Sequence, residues 1–361
     1  MAYPNFESAD FLTGHIETIL AFYEPNVRDP KGGFFHHFKD DGTIYDTDTR
    51  HLVSSTRFVF NYVNAYQQTG RPHYRDWAAH GFNYLKSHHL HPNGHYIWQH
   101  KKGVIEDGRA MAYGHAFVML AASYAARLNI DGAAQTLSSI WDFMEAYFWE
   151  AEHHAYADER DESLSVLSNY RGQNANMHSL EALIAAYENS GDARYLDRAE
   201  ELAKNFCITL AGQAAGQIWE HYTENWQPDW NYNIDKPDDL FKPWGFQPGH
   251  QVEWAKLLLQ LDALAPQNWY LPAACTLFDT AMEKGWDPLY GGLVYGYGPD
   301  GQFADAHKYF WVQAEALAAA WRLWKRTKEP IYREHYHRLW QWSWDHLIDH
   351  KNGGWYRIVS R

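Results

Sequence analysis

Residues 115–122 read HAFVMLAA and are apolar on nearly every side of a helix. A helix that is hydrophobic all round has to be buried on both sides. Residues 195–203, which read YLDRAEELA, instead carry their charges on one face, as a helix between core and solvent does. Together these patterns predict two layers of helices, with apolar inner helices beneath amphipathic outer ones.

A period of about sixty residues runs through the chain. Short segments rich in glycine and aromatic residues, typical of β-hairpins, recur at steps of 61, 60, 63, 75 and 62 residues. Their markers are Phe34, His95, Ala155, Ile218, Leu293 and Trp355. The starts of the outer helices follow nearly the same uneven steps, so each repeat predicts an outer helix, a hairpin and an inner helix.

The repeats predict an all-α chain folded as an (α/α)6 barrel, with short β-hairpins at one end. We expect residues 1–361 to form a single catalytic domain of six such repeats. An open superhelix of helical hairpins, of the tetratricopeptide type, is the competing fold. It would expose one concave wall and would not need inner helices so uniformly apolar.

Composition narrows the class of protein. Hydrophobic residues make up 46% and charged residues 21% of 361 residues, which is typical of a globular chain with a large core. The net charge of −14 argues against nucleic acid and anionic membranes as partners. Cys207 and Cys275 are too few for a disulfide framework, and no apolar run reaches the roughly 18 residues of a membrane span. We therefore expect a cytoplasmic protein.

Polar residues mark the starts of the inner helices, at nearly the period of the repeat. They are Arg57, His115, His178, His250, and Trp311 together with Glu315. Equivalent helix ends in a closed ring face one mouth, so these side chains are expected to converge on one pocket. The alternative for any single one is a buried polar group that only satisfies the core.

Two of these histidines have a glutamate three residues later, His178 with Glu181 and His250 with Glu253. That spacing puts both side chains on one helix face, where a carboxylate raises the basicity of an imidazole. The pairs predict general acid–base chemistry, and a metal site is the rival hypothesis. Neither an HExxH motif nor a cysteine cluster occurs, and GYGPDG at 296–301 opens no helix. We therefore expect neither a metal nor a nucleotide cofactor.

Two segments, RGQNANMH at 171–178 and PGHQVEW at 248–254, resemble the N-acylglucosamine 2-epimerase superfamily, and within it the mannose isomerase branch. The resemblance implies an (α/α)6 barrel that acts on free monosaccharides without metal. The implied reaction is aldose–ketose isomerisation, mannose to fructose, with lyxose to xylulose as a related conversion. The alternative is a sugar 2-epimerase acting on mannose or glucose, cellobiose or N-acylglucosamine.

The resemblance also implies roles for individual residues. His250 is one acid/base, oriented by Glu253, Arg57 stabilises the charge that develops on O1 or O2, and His178 serves ring opening. The expected substrate-binding residues are His51, Tyr113, His115, Asn174, Trp311 and Glu315.

Two other classes of function stay open. An inverting glycoside hydrolase on the same barrel would need two carboxylates about 6.5–9.5 Å apart, whereas histidines outnumber carboxylates at these helix starts. An inert sugar-binding or scaffold protein is the other. Whatever the class, we expect a small-molecule partner and a monomer or homodimer.

The repeats also leave one helix unaccounted for. Six outer helices and six hairpins precede Arg361, but only five inner helices do. One further step of about 61 residues past Trp311 places a sixth inner helix near position 372. The resemblance assigns a second acid/base histidine to that segment, so we expect the protein to continue about 25 to 40 residues past Arg361.

Overall fold

A computed structural model describes residues 3–360, and helices dominate it. The α-helices are α1 Ala9–Tyr23, α2 Leu52–Thr69, α3 Pro72–Tyr84, α4 Ala112–Arg127, α5 Ala133–Tyr147, α6 Gln173–Ser190, α7 Ala193–Lys204, α8 Pro248–Leu264, α9 Tyr270–Gly285, α10 Phe310–Thr327 and α11 Pro330–His346. Two π-helical turns continue α3 and α7, and a short 3-10 turn follows the second of them.

The strands are short and lie in the hairpins. They are β1 His37–Phe38, β2 Ile44–Asp46, β3 Thr49–His51, β4 Gln99–Lys101, β5 Val104–Asp107, β6 Ala110–Met111, β7 Trp149–Glu150, β8 Ala155–Tyr156, β9 Glu159–Arg160, β10 Arg171–Gly172, β11 His221–Tyr222, β12 Gly296–Tyr297, β13 Phe303–Asp305, β14 Lys308–Tyr309 and β15 Ile358–Val359. Antiparallel pairs join β1 to β2, β7 to β8 and β12 to β13. The largest sheet has the order β3-β4-β5, with Thr49 opposite Lys101 and His51 opposite Gln99.

The alternation of inner and outer helices that the sequence predicts is present. Inner helix α4 buries twelve of its sixteen residues and α8 fourteen of seventeen, whereas outer helix α11 buries only six of seventeen. The residues 3–360 contain no helix that combines the length and the hydropathy needed to cross a bilayer. The expected sixth inner helix lies outside the described residues and stays a prediction.

The chain divides into two compact units. The first comprises Glu24–Leu202 with Thr223–Trp226, and the second comprises the chain through Tyr23, Ala203–Tyr222 and the chain from Gln227 onward. In the first unit α2 packs against α3 and α4, and α4 against α5 and α6; in the second, α8 packs against α9 and α10, and α10 against α11. The expectation of a single catalytic domain stays a prediction.

A polar side chain near the start of an inner helix holds the preceding hairpin by its backbone. In α6, the Asn176 Oδ1 accepts the N–H of Tyr156 at 2.7 Å, and its Nδ2 donates to the Tyr156 carbonyl at 2.9 Å. The same two bonds join Gln251 to Ile218 and Gln313 to Leu293. We call these side chains the hairpin clamps. Because a clamp satisfies a buried donor and a buried acceptor together, it fixes each hairpin against the helix that follows it.

Three ion pairs, each with a buried cation, reinforce the same junctions and join residues 21 positions apart. The cation precedes an inner helix and the anion lies in the hairpin before it: Arg50 with Asp29, Arg171 with Glu150, and Lys308 with Asp287. The last pair is 1% and 0% exposed. Because an unpaired buried charge costs about 3–5 kcal/mol, each pair holds the chain firmly where it enters an inner helix.

Candidate active site

His250 lies in the first turn of α8 and is 6% exposed. Its Nδ1 is 2.9 Å from Oε1 of Glu220, which is 3% exposed and lies in the hairpin just before β11. A carboxylate on Nδ1 fixes the proton there, so that Nε2 carries the lone pair of the neutral ring. The side chain is thereby prepared to exchange a proton at Nε2.

The charges around His250 favour its protonated form. Burial alone lowers the pKa of His250, but the carboxylates of Glu220, Glu253 and Glu315 outweigh it and hold the pKa above its usual value. An imidazole that its neighbours make more basic is suited both to take and to return a proton. The arrangement therefore suits reversible proton transfer to carbon.

Lys256 links two of these carboxylates. It is 9% exposed, and its Nζ is 2.5 Å from Oε2 of Glu315 and 3.6 Å from Oε1 of Glu253. Buried charges persist only when they are paired, and here one ammonium serves both acids. Glu315, expected to bind the sugar, is therefore part of an ion pair that holds Glu253.

Trp311, in the first turn of α10, lies beside His250 with its ring 5.1 Å from the imidazole and tilted by 34°. Gly249 makes this approach possible, because a Cβ at that position would lie 2.5 Å from the indole. The indole is half-buried, so part of it stays accessible beside His250. Such a face suits the apolar side of a sugar ring.

In the first unit, helices α2, α4 and α6 bring three predicted residues, Arg57, Tyr113 and His178, together around Phe117. His178 Nδ1 is 3.0 Å from Oε2 of Glu181, as the spacing of three predicts. The His178 ring lies 5.1 Å from that of Tyr113 and 4.7 Å from that of Phe117. The Arg57 guanidinium lies over the ring of Phe117, 4.5 Å from its centre. The Arg57 guanidinium, the Tyr113 phenol and the His178 imidazole thus all contact the ring of Phe117.

Two further predicted binding residues lie at helix starts of the same unit. His51 caps α2, since its Nδ1 accepts the N–H of Val53, and burial lowers its pKa to about 4. Its ring lies 4.3 Å from that of Trp98. Asn174 is half-buried in the first turn of α6, and in the described part of the chain its Oδ1 is buried without a hydrogen-bond partner. An acceptor in that state favours a ligand hydroxyl.

His115 is placed differently from what the sequence suggested. It is fully buried; its Nε2 accepts the N–H of Tyr96 at 3.0 Å, and its Nδ1 donates to the carbonyl of Met111 at 2.7 Å. Burial lowers its pKa to about 3. His115 thus holds the hairpin of its repeat through one of the two clamp bonds, the one to the N–H of Tyr96, in phase with Asn176, Gln251 and Gln313 rather than with His178 or His250. Its other nitrogen bonds the carbonyl of Met111 at the start of its own helix, so both nitrogens are used by the backbone.

The sequence reasoning also missed the partner of His250. It assigned the orienting role to Glu253, but the carboxylate on Nδ1 belongs to Glu220, thirty residues earlier in the chain. The repeats do not single out Glu220. In the sequence, an acidic residue beside Trp219 in a hairpin looks the same as an acidic residue on the surface. Lys256 was missed too, although its spacing of three from Glu253 was visible.

The chain is similar to known proteins over its whole length. A D-mannose isomerase from Marinomonas mediterranea is 51% identical over 361 residues, which is 100% of this chain and 92% of that protein. A crystal structure of D-mannose isomerase superposes with a TM-score of 0.98 at 51% identity, covering 99% of this chain and 92% of that one.

A more distant structure, cellobiose 2-epimerase from Bacillus thermoamylovorans B4167, has a TM-score of 0.86 at 19% identity, covering 97% and 92% of the two chains. The shared architecture confirms the (α/α)6-barrel fold class. The profile of the N-acylglucosamine 2-epimerase (GlcNAc 2-epimerase) family matches residues 33–361. The chain therefore belongs to the N-acylglucosamine 2-epimerase family.

Proposed function

We propose that this protein is an aldose–ketose isomerase that converts mannose to fructose. The observation that carries the proposal is the 51% identity with a D-mannose isomerase over all 361 residues. The buried His250, with its carboxylate partner and a raised pKa, supplies the group that such a reaction needs.

The chemistry is a proton shift between neighbouring carbons. In the open-chain aldose, Nε2 of His250 removes the proton from C2, and the electron pair of that bond forms the C1–C2 double bond of an enediolate, with negative charge on O1. Returning the proton to C1, while the hydroxyl proton of O2 passes to O1, makes O1 a hydroxyl and O2 the carbonyl oxygen of the ketose. The base has to approach within about 3 Å of the proton's carbon.

The other residues stabilise and hold the sugar in this proposal. Arg57 stabilises the oxyanion, because a guanidinium stays cationic and donates in a fork. His178, oriented by Glu181, transfers the proton that opens the ring. Further binding roles follow the chemistry of each group: hydroxyl contacts for His51, Tyr113 and Asn174, and stacking for Trp311. Glu253 adds negative charge near His250, Glu315 acts through Lys256, and His115 has a structural role.

A sugar 2-epimerase is the second candidate, favoured by the fold shared with cellobiose 2-epimerase. Both reactions begin with loss of the C2 proton, and they differ only in where the proton returns. Return to C1 gives a ketose, and return to the opposite face of C2 gives the epimeric aldose.

We further propose that the enzyme works without metal or cofactor, on a monosaccharide, as a monomer or homodimer in the cytoplasm. Two free cysteines support a reducing compartment, and a net charge of −14 disfavours nucleic acid as a partner.

Incubation of the purified protein with mannose, glucose, N-acetylglucosamine and cellobiose, with products separated by chromatography, tests the function. Fructose from mannose is the expected product. Glucose from mannose would favour the epimerase, and hydrolysis of cellobiose, or no reaction with any of the four sugars, would overturn both. The His250→Asn variant is the matched control for contaminating activity.

A further inference from the structure

Glu220 lies in a segment that is held in place from several sides. Trp219, fully buried, donates its Nε1 to the carbonyl of Asp229 and packs on Phe246 at 4.9 Å. On the other side His221, 1% exposed, is 2.7 Å through its Nε2 from the carbonyl of Pro243. With both neighbours fixed, the backbone of Glu220 has little freedom to move.

The helix that carries His250 also holds this segment. Gln251, the next residue along α8, clamps both backbone groups of Ile218, two positions before Glu220. This clamp therefore ties α8 to the segment that carries the carboxylate. The tie lies one residue after His250 and two residues before Glu220.

Glu253 is placed for a different task. Its Oε1 lies 3.6 Å from Nζ of Lys256, which also pairs with Glu315. The charged groups that face His250 are thus Glu220, Glu253 and Glu315, with Lys256 offsetting the last two. Glu220 is the carboxylate in direct contact with Nδ1, at 2.9 Å.

From this geometry we propose that Glu220 is the positioning residue of the isomerase: it fixes the Nδ1–H tautomer of His250 and directs Nε2 toward the substrate carbon. The inference rests on the proposed function for its catalytic consequence, but the tautomer itself is a property of the free protein. Glu220 acts through His250 and does not need to touch the sugar.

The test compares Glu220→Gln with the wild type and with Glu224→Gln. Glu224 is exposed, and its variant makes the same change of charge four residues further on. In Glu220→Gln we expect kcat to fall by about 100-fold or more, with KM for mannose changed by less than about threefold, because losing the carboxylate beside a catalytic histidine costs up to about 10⁴-fold. Glu224→Gln should behave as the wild type.

Two readouts separate positioning from general structural damage. Removing the carboxylate lowers the pKa of His250, so the acid limb of the kcat/KM profile should move to lower pH. Nitrogen-15 NMR of the histidine rings, without substrate and at a pH where the His250 ring is neutral, should show Nδ1–H for His250 in the wild type and a mixture of tautomers in Glu220→Gln. An unchanged limb and an unchanged tautomer would overturn the proposal.

The NMR measurement stands even if mannose is not the substrate, so failure of the proposed function and failure of this inference are distinguishable. If Glu220→Gln does not fold, Glu220→Asp carries the test, since it keeps the charge and shortens the reach. We then expect the acid limb to stay near its wild-type position while kcat falls. Full kcat in Glu220→Asp would show that the contact with Nδ1 is not needed.

Discussion

The starts of α4 and α8 each carry a buried histidine, and the two behave in opposite ways. His115 places Nδ1 on a backbone carbonyl, accepts a backbone N–H at Nε2, and has its pKa lowered to about 3 by burial. His250 places Nδ1 on the carboxylate of Glu220, and its pKa is raised. Burial is common to both, so the group facing Nδ1, together with Glu253 and Glu315 near His250, sets the direction in which the pKa moves.

The largest effect that separates the two histidines is on turnover. His250→Asn should lower kcat by about 10²–10⁴-fold while the protein stays folded, because the change removes the base and keeps a polar side chain. Steady-state kinetics on mannose together with circular dichroism checks it. Retention of more than about a tenth of the activity would mean that His250 is not the base.

His115→Leu should show the converse pattern. It leaves the buried N–H of Tyr96 without its acceptor, so we expect the free energy of unfolding to fall by about 1–3 kcal/mol. At temperatures where it is folded, kcat should stay within a few-fold of the wild type. His115→Asn, which copies the clamp of α6, should regain part of the stability in urea titrations. A variant His115→Leu that is stable but inactive would place His115 in the site.

The pH dependence of stability sharpens the contrast. The pKa of His115 is lowered in the folded protein, so the unfolded chain takes up the proton first and stability falls as pH falls below about 6.5. With a folded pKa of about 3, this group alone removes about 2 kcal/mol between pH 7 and pH 5. The loss in stability over that range should therefore be smaller in His115→Leu than in the wild type, as urea titrations at both pH values would show. Equal losses would contradict the assigned neutral state of His115.

The smallest expected effect concerns metal. If the carboxylates around His250 serve proton transfer, exhaustive EDTA treatment should leave the activity on mannose within experimental error. Loss of activity on chelation, restored by Mn²⁺ or Zn²⁺, would instead show that these carboxylates bind a metal. They would then not serve to make His250 more basic than His115.

The sequence predicts the repeat, the two layers of helices and the helix starts at which the polar residues lie, because these follow from local periodicity. It could not tell His115 from His178, since each is a histidine near the start of an apolar helix. The distinction depends on two positions of register, visible only once Asn176, Gln251 and Gln313 are seen to make the same bonds. Glu220 was beyond reach for another reason: thirty residues separate it from His250, and nothing in the sequence links an acid in a hairpin to one residue of the helix that follows.

The hairpin clamps also bear on how this architecture acquires new specificities. The clamp bridges 20 residues in the repeats of Asn176 and Gln313, but 33 in the repeat of Gln251. The same two hydrogen bonds close a loop of either length, so the geometry of the helix start is insulated from the length of the loop. Loop exchange between relatives, with the clamp residue and its partner retained, is thus the rational place to redesign what the enzyme accepts while its proton-transfer group stays where it is.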